Sequence, residues 1–157
     1  GVEYFIVKFD SPAQLPKPAK KKLSDFVKES KDELKPLELA GDGWESVYRN
    51  HAKEAVNGFH TPKSSNSNQM FRKILGVDDF SNWWSLGPRE IDNFVSIRGE
   101  VAHKGSDASY VTITNLKDFL SKVKRTALEV DNELTVYLCE KTPGVERPWK
   151  RRSIDRK

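Results

Sequence analysis

The longest regular pattern in the chain is an apolar repeat at spacings of three and four residues near the C-terminal end. Its members are Leu116, Phe119, Leu120, Val123, Ala127, Val130, Leu134 and Tyr137. Such spacing collects apolar side chains on one stripe of an α-helix. The pattern predicts a helix over 115–139, the longest of the chain, which begins at a capping box formed by residues 115–118.

Four shorter helices are predicted ahead of this one from partial apolar stripes and from proline and glycine boundaries. They span 19–35, 44–59, 69–75 and a run that opens at Pro88. Residues 61–68 are rich in Ser and Asn and predict a loop. We expect Trp83 and Trp84 to pack inside the bundle or against a dimer face; the alternative is an exposed ring that stacks on a base.

The first nine residues carry a different pattern. Residues 2–9 are dense in β-branched and aromatic side chains, which predicts a strand. Residues 110–113 form the only other such run, and residues 11–18 hold three prolines that indicate an extended linker. We therefore expect a strand or an extended arm over 1–16, paired with 110–113 or with another chain.

The composition fits one small helical domain with solvated faces, since 36% of the 157 residues are apolar and 32% are charged. The single cysteine, Cys139, cannot form an intrachain disulfide and favours a reducing, cytoplasmic location. No apolar run reaches the length of a membrane span, so we expect no membrane partner. The chain begins at Gly1, which favours a domain excised from a larger protein.

The candidate chemistry lies at the end of the helical run that opens at Pro88. Arg98 and His103 form an R-x4-H pattern, in which Arg supplies a permanent forked charge and His can transfer a proton near neutral pH. Arg98 interrupts an apolar stripe and therefore needs a buried anion, a cleft or an interface. His103 lies about 140° further round the helix. The two converge if the helix ends near Ala102 or if a second chain supplies one group.

The segment 97–105, which reads I-R-G-E-V-A-H-K-G, resembles the R-x4-6-H signature of the HEPN superfamily (higher eukaryotes and prokaryotes nucleotide-binding). Its Ala-His-x-Gly ending is most similar to the RiboL-PSP-type branch, and the resemblance covers about residues 17–140. It implies an all-helical bundle and metal-independent cleavage of RNA where two motifs meet across a homodimer. In that pattern Arg98 and His103 would be catalytic. The chain departs at Gly99, where many active members have a polar residue.

Combined with the predicted helices, the resemblance leads us to expect an all-α fold. The expected architecture is a bundle of four to five helices with a short N-terminal strand or extended arm and a disordered basic C-terminal tail. Its parts are a strand and linker at 1–16, a HEPN-like helical domain at 17–140 and a basic flexible tail at 141–157.

The resemblance implies that the ribose 2′-OH attacks the adjacent phosphorus, with His103 moving a proton and Arg98 stabilising the phosphoryl charge. Glu100 is a candidate to orient one of the pair, and Lys104 to meet a neighbouring phosphate. We expect no cofactor and no metal, because His51 and His60 lack further ligands at zinc spacing. The expected partners are RNA and a second copy, with an antitoxin or a fused regulatory domain as further candidates and a toxin or phage-defence role implied.

The net charge of +4 is unevenly distributed. Residues 141–157 hold seven basic and two acidic side chains, a net of +5, so the first 140 residues carry −1. Any RNA affinity must come from a local patch or from this tail, in which Lys150, Arg151 and Arg152 are the candidate contacts. We interpret the lysines at 20–22 as a solvated face, with a phosphate contact as the alternative.

Three other interpretations remain open at this stage. Arg98 could be an ion-pair partner of a core carboxylate, with His103 favoured by the helix macrodipole. The domain could also bind RNA or a nucleotide without cutting it, or serve as a helical dimerisation or interaction domain of a larger protein. The chain contains no glycine-rich phosphate loop, nucleophile elbow or kinase signature.

Overall fold

The structure, a computed structural model, describes residues 1–104, 112–142, 144 and 146–153, except for the side chains of His103 and Lys104. The helices are α1 (Val2–Lys8), α2 (Lys17–Lys28), α3 (Gly43–Asn57), α4 (Ser64–Leu75), α5 (Gly87–Lys104) and α6 (Ile113–Lys141). Short 3-10 turns lie at Pro12–Gln14, Lys35–Leu39 and Phe80–Trp83. The described residues contain no strand, so the predicted all-α fold is confirmed, and α6 is the longest helix with 29 residues.

The predicted N-terminal strand is wrong, because residues 2–8 form α1. Phe5 is fully buried and its ring stacks on Phe9 at 4.8 Å between ring centroids, a contact that the four-residue spacing of a helix provides. Glu3 pairs with Arg49 of α3 at 2.9 Å and ties α1 to the bundle. Burial of one face thus overrides the β-propensity of the segment. Residues 110 and 111, the predicted strand partner, lie outside the described residues.

The predicted loop over 61–68 is also wrong from Ser64 onward, because α4 begins there. The Ser64 backbone N–H donates to one carboxylate oxygen of Asp92 at 2.6 Å, and the Ser64 hydroxyl donates to the other at 2.6 Å. Asp92 lies on α5, so a distant residue caps the helix and satisfies an amide that would otherwise lack a partner. Sequence spacing around Ser64 could not reveal this cap.

The opposite end of α4 is held by two tyrosines. The hydroxyl of Tyr48, on α3, donates to the Ile74 carbonyl at 2.9 Å, and that of Tyr137, on α6, donates to the Leu75 carbonyl at 2.8 Å. Burial raises the pKa of both phenols, so they stay protonated as donors. Gly76 ends the helix with a φ of 74°, a conformation that favours glycine.

Other helix boundaries differ from the prediction by a few residues. The helix α2 ends at Lys28 rather than near 35, and Pro36 lies in the 3-10 turn that follows. The cap of α6 is Thr112, whose side chain accepts from the Asn115 backbone N–H at 3.1 Å, so the helix begins ahead of the predicted capping box.

Both neighbouring tryptophans pack inside the chain, as expected. Trp84 is 6% exposed, and Trp83 is half-buried between the rings of Phe71, Phe80 and Tyr137. The surrounding core draws on every helix except α5 for its most buried members. It contains Phe5, Ile6, Phe9, Leu15, Ala19, Leu23, Trp44, Tyr48, Ala52, Ile74, Leu75, Val77, Phe80, Trp84 and Leu138. No described helix is both long and apolar enough to span a bilayer.

Residues 146–153, which belong to the tail expected to be flexible, pack on α1 and α6. Trp149 packs against the buried core. Glu146 pairs with Lys8 at 2.6 Å. The side chain of Asn132, which is 3% exposed, accepts from the Arg152 backbone N–H at 2.8 Å and donates to the Arg152 carbonyl at 2.9 Å. This two-bond clamp resembles a strand pairing and fixes the backbone of the segment.

We therefore predict that Trp149→Ala lowers the free energy of unfolding by about 2 kcal/mol, because a half-buried indole leaves the core. Lys150→Ala, at the neighbouring exposed position, should change it by less than about 0.5 kcal/mol. Urea denaturation of the two variants measures both values. Equal stability of the two variants would contradict the packing of the tail.

Candidate functional site

The motif lies on α5, which packs on α4 and on the Phe80–Trp83 turn. Asp92 anchors the helix at Ser64, and Val95 is its one buried apolar residue, at 9% exposure. The helix continues through His103 to Lys104. It therefore does not end near Ala102, and the backbone positions of Arg98 and His103 stay about 140° apart and about 7.5 Å apart along the axis.

An apolar groove of about 610 Å³ runs between α5 and the beginning of α6. Its lining residues are Phe94, Ile97, Arg98, Val101, Ala102, Asn115, Leu116, Asp118 and Phe119. The rings of Phe94 and Phe119 meet across it with centroids 4.6 Å apart. Arg98 is the one basic residue of this lining, so of the three surroundings considered for Arg98, a buried anion, a cleft or an interface, it lies at a cleft.

Arg98 is exposed and has no hydrogen bond or ion pair with any described residue. Asp118, the acidic residue of the groove, pairs instead with Lys122 at 3.0 Å. Lys122 also lies 3.8 Å from Glu90 of α5, and the hydrogen bond to Asp118 raises the pKa of Lys122. The described part of the chain thus offers Arg98 no core carboxylate, and its charge is free to meet an anion from outside.

The turn before α5 is fixed to α6 by Glu129. The Ser85 backbone N–H and hydroxyl donate to the Glu129 carboxylate at 3.0 and 2.6 Å, and Arg125 donates to it at 2.9 Å. Burial opposes the ionisation of Glu129, but these hydrogen bonds outweigh it and lower the pKa of the carboxyl. This contact and the ion pairs of Lys122 hold α5 and α6 at a spacing that keeps the groove open between them.

Three further candidate residues, His103, Lys104 and Glu100, lie on α5 close to Arg98 in sequence. His103 and Lys104 lie in the last turn of α5, but their side chains are outside the description, and so is Gly105. Glu100 is exposed and has no partner among the described residues.

The three tail candidates lie elsewhere. Arg151 lies 3.8 Å from Glu133 and Arg152 3.6 Å from Asp131, while Lys150 is exposed. These α6 positions are about 20 Å along the helix axis from the groove residue Asp118. The structure therefore does not bring the tail candidates together with Arg98.

The histidines with described side chains lie apart from one another. The Nε2 atom of His51 is within hydrogen-bonding distance of the Lys73 carbonyl, at 3.2 Å. His60 lines a separate pocket of about 370 Å³ between α3 and α4. The described residues contain no group of three or more His, Cys, Asp or Glu side chains that could hold a metal ion.

An exposed apolar surface on α6 was missed by the sequence analysis. We define the α6 seam as Ile113, Leu116, Leu120, Val123 and Ala127. The first four are 73%, 53%, 55% and 40% exposed, and Ala127 is exposed as well. Their spacing of three and four residues is that of a helix–helix seam. The sequence shows these residues only as part of the apolar repeat, of which the C-terminal half packs on the core and the N-terminal half is exposed.

The family comparison gives one match, to the model described as RiboL-PSP-HEPN, over residues 3–136. The matched residues include α2 to α5 and most of α1 and α6, so they cover the groove, the motif and the seam. Comparison with curated proteins gives no match. Comparison with solved structures gives none either.

We predict that Gly99→Ala raises the free energy of unfolding by about 1 kcal/mol, because glycine is costly inside a helix and an added Cβ meets no atom within 4 Å. Gly76→Ala is the matched control and should lower it, since that backbone has a φ of 74° and the Cβ would lie 2.7 Å from Pro16. Denaturant unfolding measures both. A destabilised Gly99→Ala protein would contradict the open surroundings of Gly99.

Proposed function

We propose that this chain, which belongs to the RiboL-PSP-HEPN family, is a metal-independent endoribonuclease whose site is completed by a second copy. The observation that carries the proposal is the state of Arg98. It is an exposed cation without an ion pair among the described residues, at a groove on the helix that also contains His103. That is the condition of a side chain available to a phosphate.

The proposed reaction uses the 2′-OH of the substrate ribose. This oxygen attacks the adjacent phosphorus and the bond to the 5′-oxygen breaks, which gives a 2′,3′-cyclic phosphate and a 5′-hydroxyl. His103 takes the proton from the 2′-OH or gives one to the leaving oxygen, and Arg98 stabilises the charge on the phosphoryl oxygens. Glu100 and Lys104 are proposed to support them, by orienting the pair and by contacting a neighbouring phosphate. DNA lacks the 2′-OH and should not be cut.

A homodimer through the α6 seam would complete the site. Exposed apolar residues at heptad-like spacing are covered in solution by another helix, and a two-fold axis pairs the same surface on both copies. The seam shares Leu116 with the groove, so a second copy on the seam lies next to Arg98. Since positions 98 and 103 are about 140° apart on one helix, Arg98 of one copy and His103 of the other are proposed to act on one phosphate.

The setting of this activity is a further part of the proposal. A cytoplasmic toxin or phage-defence ribonuclease fits the family and the single cysteine, and an antitoxin or a fused domain would regulate it. A module that binds RNA without cutting it is the second candidate, favoured by Gly99 at the position where many active members have a polar residue. A cleavage assay with labelled RNA in EDTA separates the two.

We predict that Arg98→Ala and His103→Ala each reduce RNA cleavage in EDTA by about 100-fold or more, because a charge stabiliser or a proton-transfer group is lost. Arg98→Ala should melt like the parent protein, since no described carboxylate loses a partner. Arg89→Ala is the matched control, an exposed arginine on the same helix without an ion pair, and should keep full activity. A mixture of the two inactive variants should recover activity through mixed dimers.

Two results would contradict this assignment. A fall of many degrees in the melting temperature of Arg98→Ala would show that Arg98 neutralises a buried carboxylate, whose loss of a partner costs about 3–5 kcal/mol. Unchanged cleavage by either variant would remove that residue from the site.

We also predict that Leu120→Glu makes the protein monomeric and inactive, because a charge would enter the apolar seam. Leu37→Glu is the control: Leu37 is 67% exposed, more than Leu120 at 55%, but it lies in the Lys35–Leu39 turn. Sedimentation velocity measures the mass and the RNA assay measures the activity. A dimer that persists in Leu120→Glu would exclude the seam as the interface.

A further inference from the structure

The helix α2 carries an unusual set of basic side chains. Five of its 12 residues are lysines, and its first turn has no acidic residue. Four of them, Lys17, Lys20, Lys21 and Lys28, are exposed. We call these four the lysine face. The fifth, Lys22, is directed elsewhere and lies 3.8 Å from Glu54 of α3.

The lysine face is a continuous surface. At 100° per residue, Lys17, Lys21 and Lys28 fall within an arc of about 40° and Lys20 lies about 60° to one side. The buried residues Ala19 and Leu23 occupy the opposite side of the helix. Positions 17 and 28 are about 16 Å apart along the axis, a length that can meet several successive phosphates of one strand.

No carboxylate in the described part of the chain forms an ion pair with the lysine face. The Lys20 side chain donates a hydrogen bond to the Ala13 carbonyl at 3.3 Å. The side chains of the other three lysines form no hydrogen bond with a described residue. Asp25 is the nearest acidic residue on this side of the helix, three residues from Lys28 and four from Lys21, and it forms no ion pair with a described residue. By contrast, most other charged side chains on the neighbouring helix α3 are paired, as in the contacts of Arg49 with Glu3 and Glu45.

The placement of these lysines works against the stability of α2. Basic side chains in the first turn face the positive end of the helix macrodipole, where an acidic residue would stabilise the helix by about 0.3–1 kcal/mol. Lys17 and Lys20 both lie in this region. Selection for stability alone would not place unpaired lysines in this turn. A negatively charged partner that binds the exposed lysines would explain their presence.

We propose that the lysine face binds the phosphate backbone of RNA outside the cleavage site, an inference that rests on the proposed function. The first 140 residues carry a net charge of −1, so a general attraction for RNA is lacking there, and a local patch would add to what the basic tail provides. The helix α2 packs on α3, α4 and the Lys35–Leu39 turn, whereas the motif helix α5 packs on α4 and the Phe80–Trp83 turn. Because α2 and α5 share only α4 among these packing partners, we place the lysine face apart from the motif. An RNA long enough to reach both would then bind more tightly than a short one.

An RNA strand fits this surface better than a lipid bilayer does. Helices that lie on membranes insert large apolar side chains beside their basic ones. The apolar residues of α2 lie on its opposite, bundle-facing side, and the lysine face itself includes only lysines and the short Ser24. A surface of charges without an apolar wedge suits a phosphodiester backbone.

The test compares two fourfold variants with the same change in net charge. The first replaces the lysine face by Gln (Lys17→Gln, Lys20→Gln, Lys21→Gln, Lys28→Gln). The control replaces four exposed, unpaired lysines elsewhere (Lys31→Gln, Lys53→Gln, Lys117→Gln, Lys124→Gln). Both are made in the full chain with His103→Ala, so that bound RNA stays intact, and circular dichroism checks the helical content. The Kd for a labelled single-stranded RNA is measured in EDTA over about 50 to 200 mM salt.

We expect the lysine-face variant to bind about tenfold or more weakly, with the salt slope reduced by about 0.7 for each lost phosphate contact, and the control to bind like the parent. Equal affinities of the two variants would overturn the proposal. Loss of binding to phosphatidylserine vesicles with unchanged RNA affinity would also overturn it, in favour of a membrane. Cleavage is assayed separately with His103 in place. Its absence with the affinity difference intact would refute the ribonuclease and not the lysine face.

Discussion

The position of the candidate site depends on how the backbone ends of α4 are satisfied. A helix leaves amides unpaired at one end and carbonyls at the other. Here three other helices supply the missing partners: Asp92 of α5 accepts at the first turn, and Tyr48 of α3 and Tyr137 of α6 donate at the last. Because each bond also fixes the helix that provides it, α4 sets the placement of α3, α5 and α6 at once. Arg98 lies less than two turns beyond Asp92, so its place follows from the same contact.

The single apolar repeat of α6 has two functions in this arrangement. Its C-terminal half, with Val130, Leu134 and Tyr137, packs against the core. Its N-terminal half extends past the core and leaves the α6 seam and the groove uncovered. The same change occurs along α5, where Val95 is buried and Ala102 is exposed. Both helices thus leave the bundle at the end that carries the motif, which is why an interface and a site coincide there in the proposal.

The sequence predicted those parts of the fold whose signals are local. The repeat of α6, the run that opens at Pro88 and the motif on it were all found, and the family match agrees with the resemblance. The sequence did not reveal the features that depend on residues far apart in the chain. Asp92 caps α4, Asn132 binds the tail backbone at Arg152, and burial of Phe5 favours a helix in the β-prone segment that forms α1. The exposure of the seam was not predicted, because periodicity shows which residues share a face and does not show what covers that face.

The ion pairs of the described residues leave Arg98 and the lysine face without a carboxylate partner. The acidic residue that lines the groove, Asp118, pairs with Lys122, which also lies 3.8 Å from Glu90, so Arg98 has no carboxylate partner in the lining. On α2 the single acidic residue, Asp25, lies to one side of the lysine face and forms no ion pair with it. A free surface cation contributes little to folding, whereas a cation held ready for a phosphate does not first have to break an internal ion pair. In the proposal, RNA therefore binds at the groove and on the lysine face without first breaking an internal ion pair.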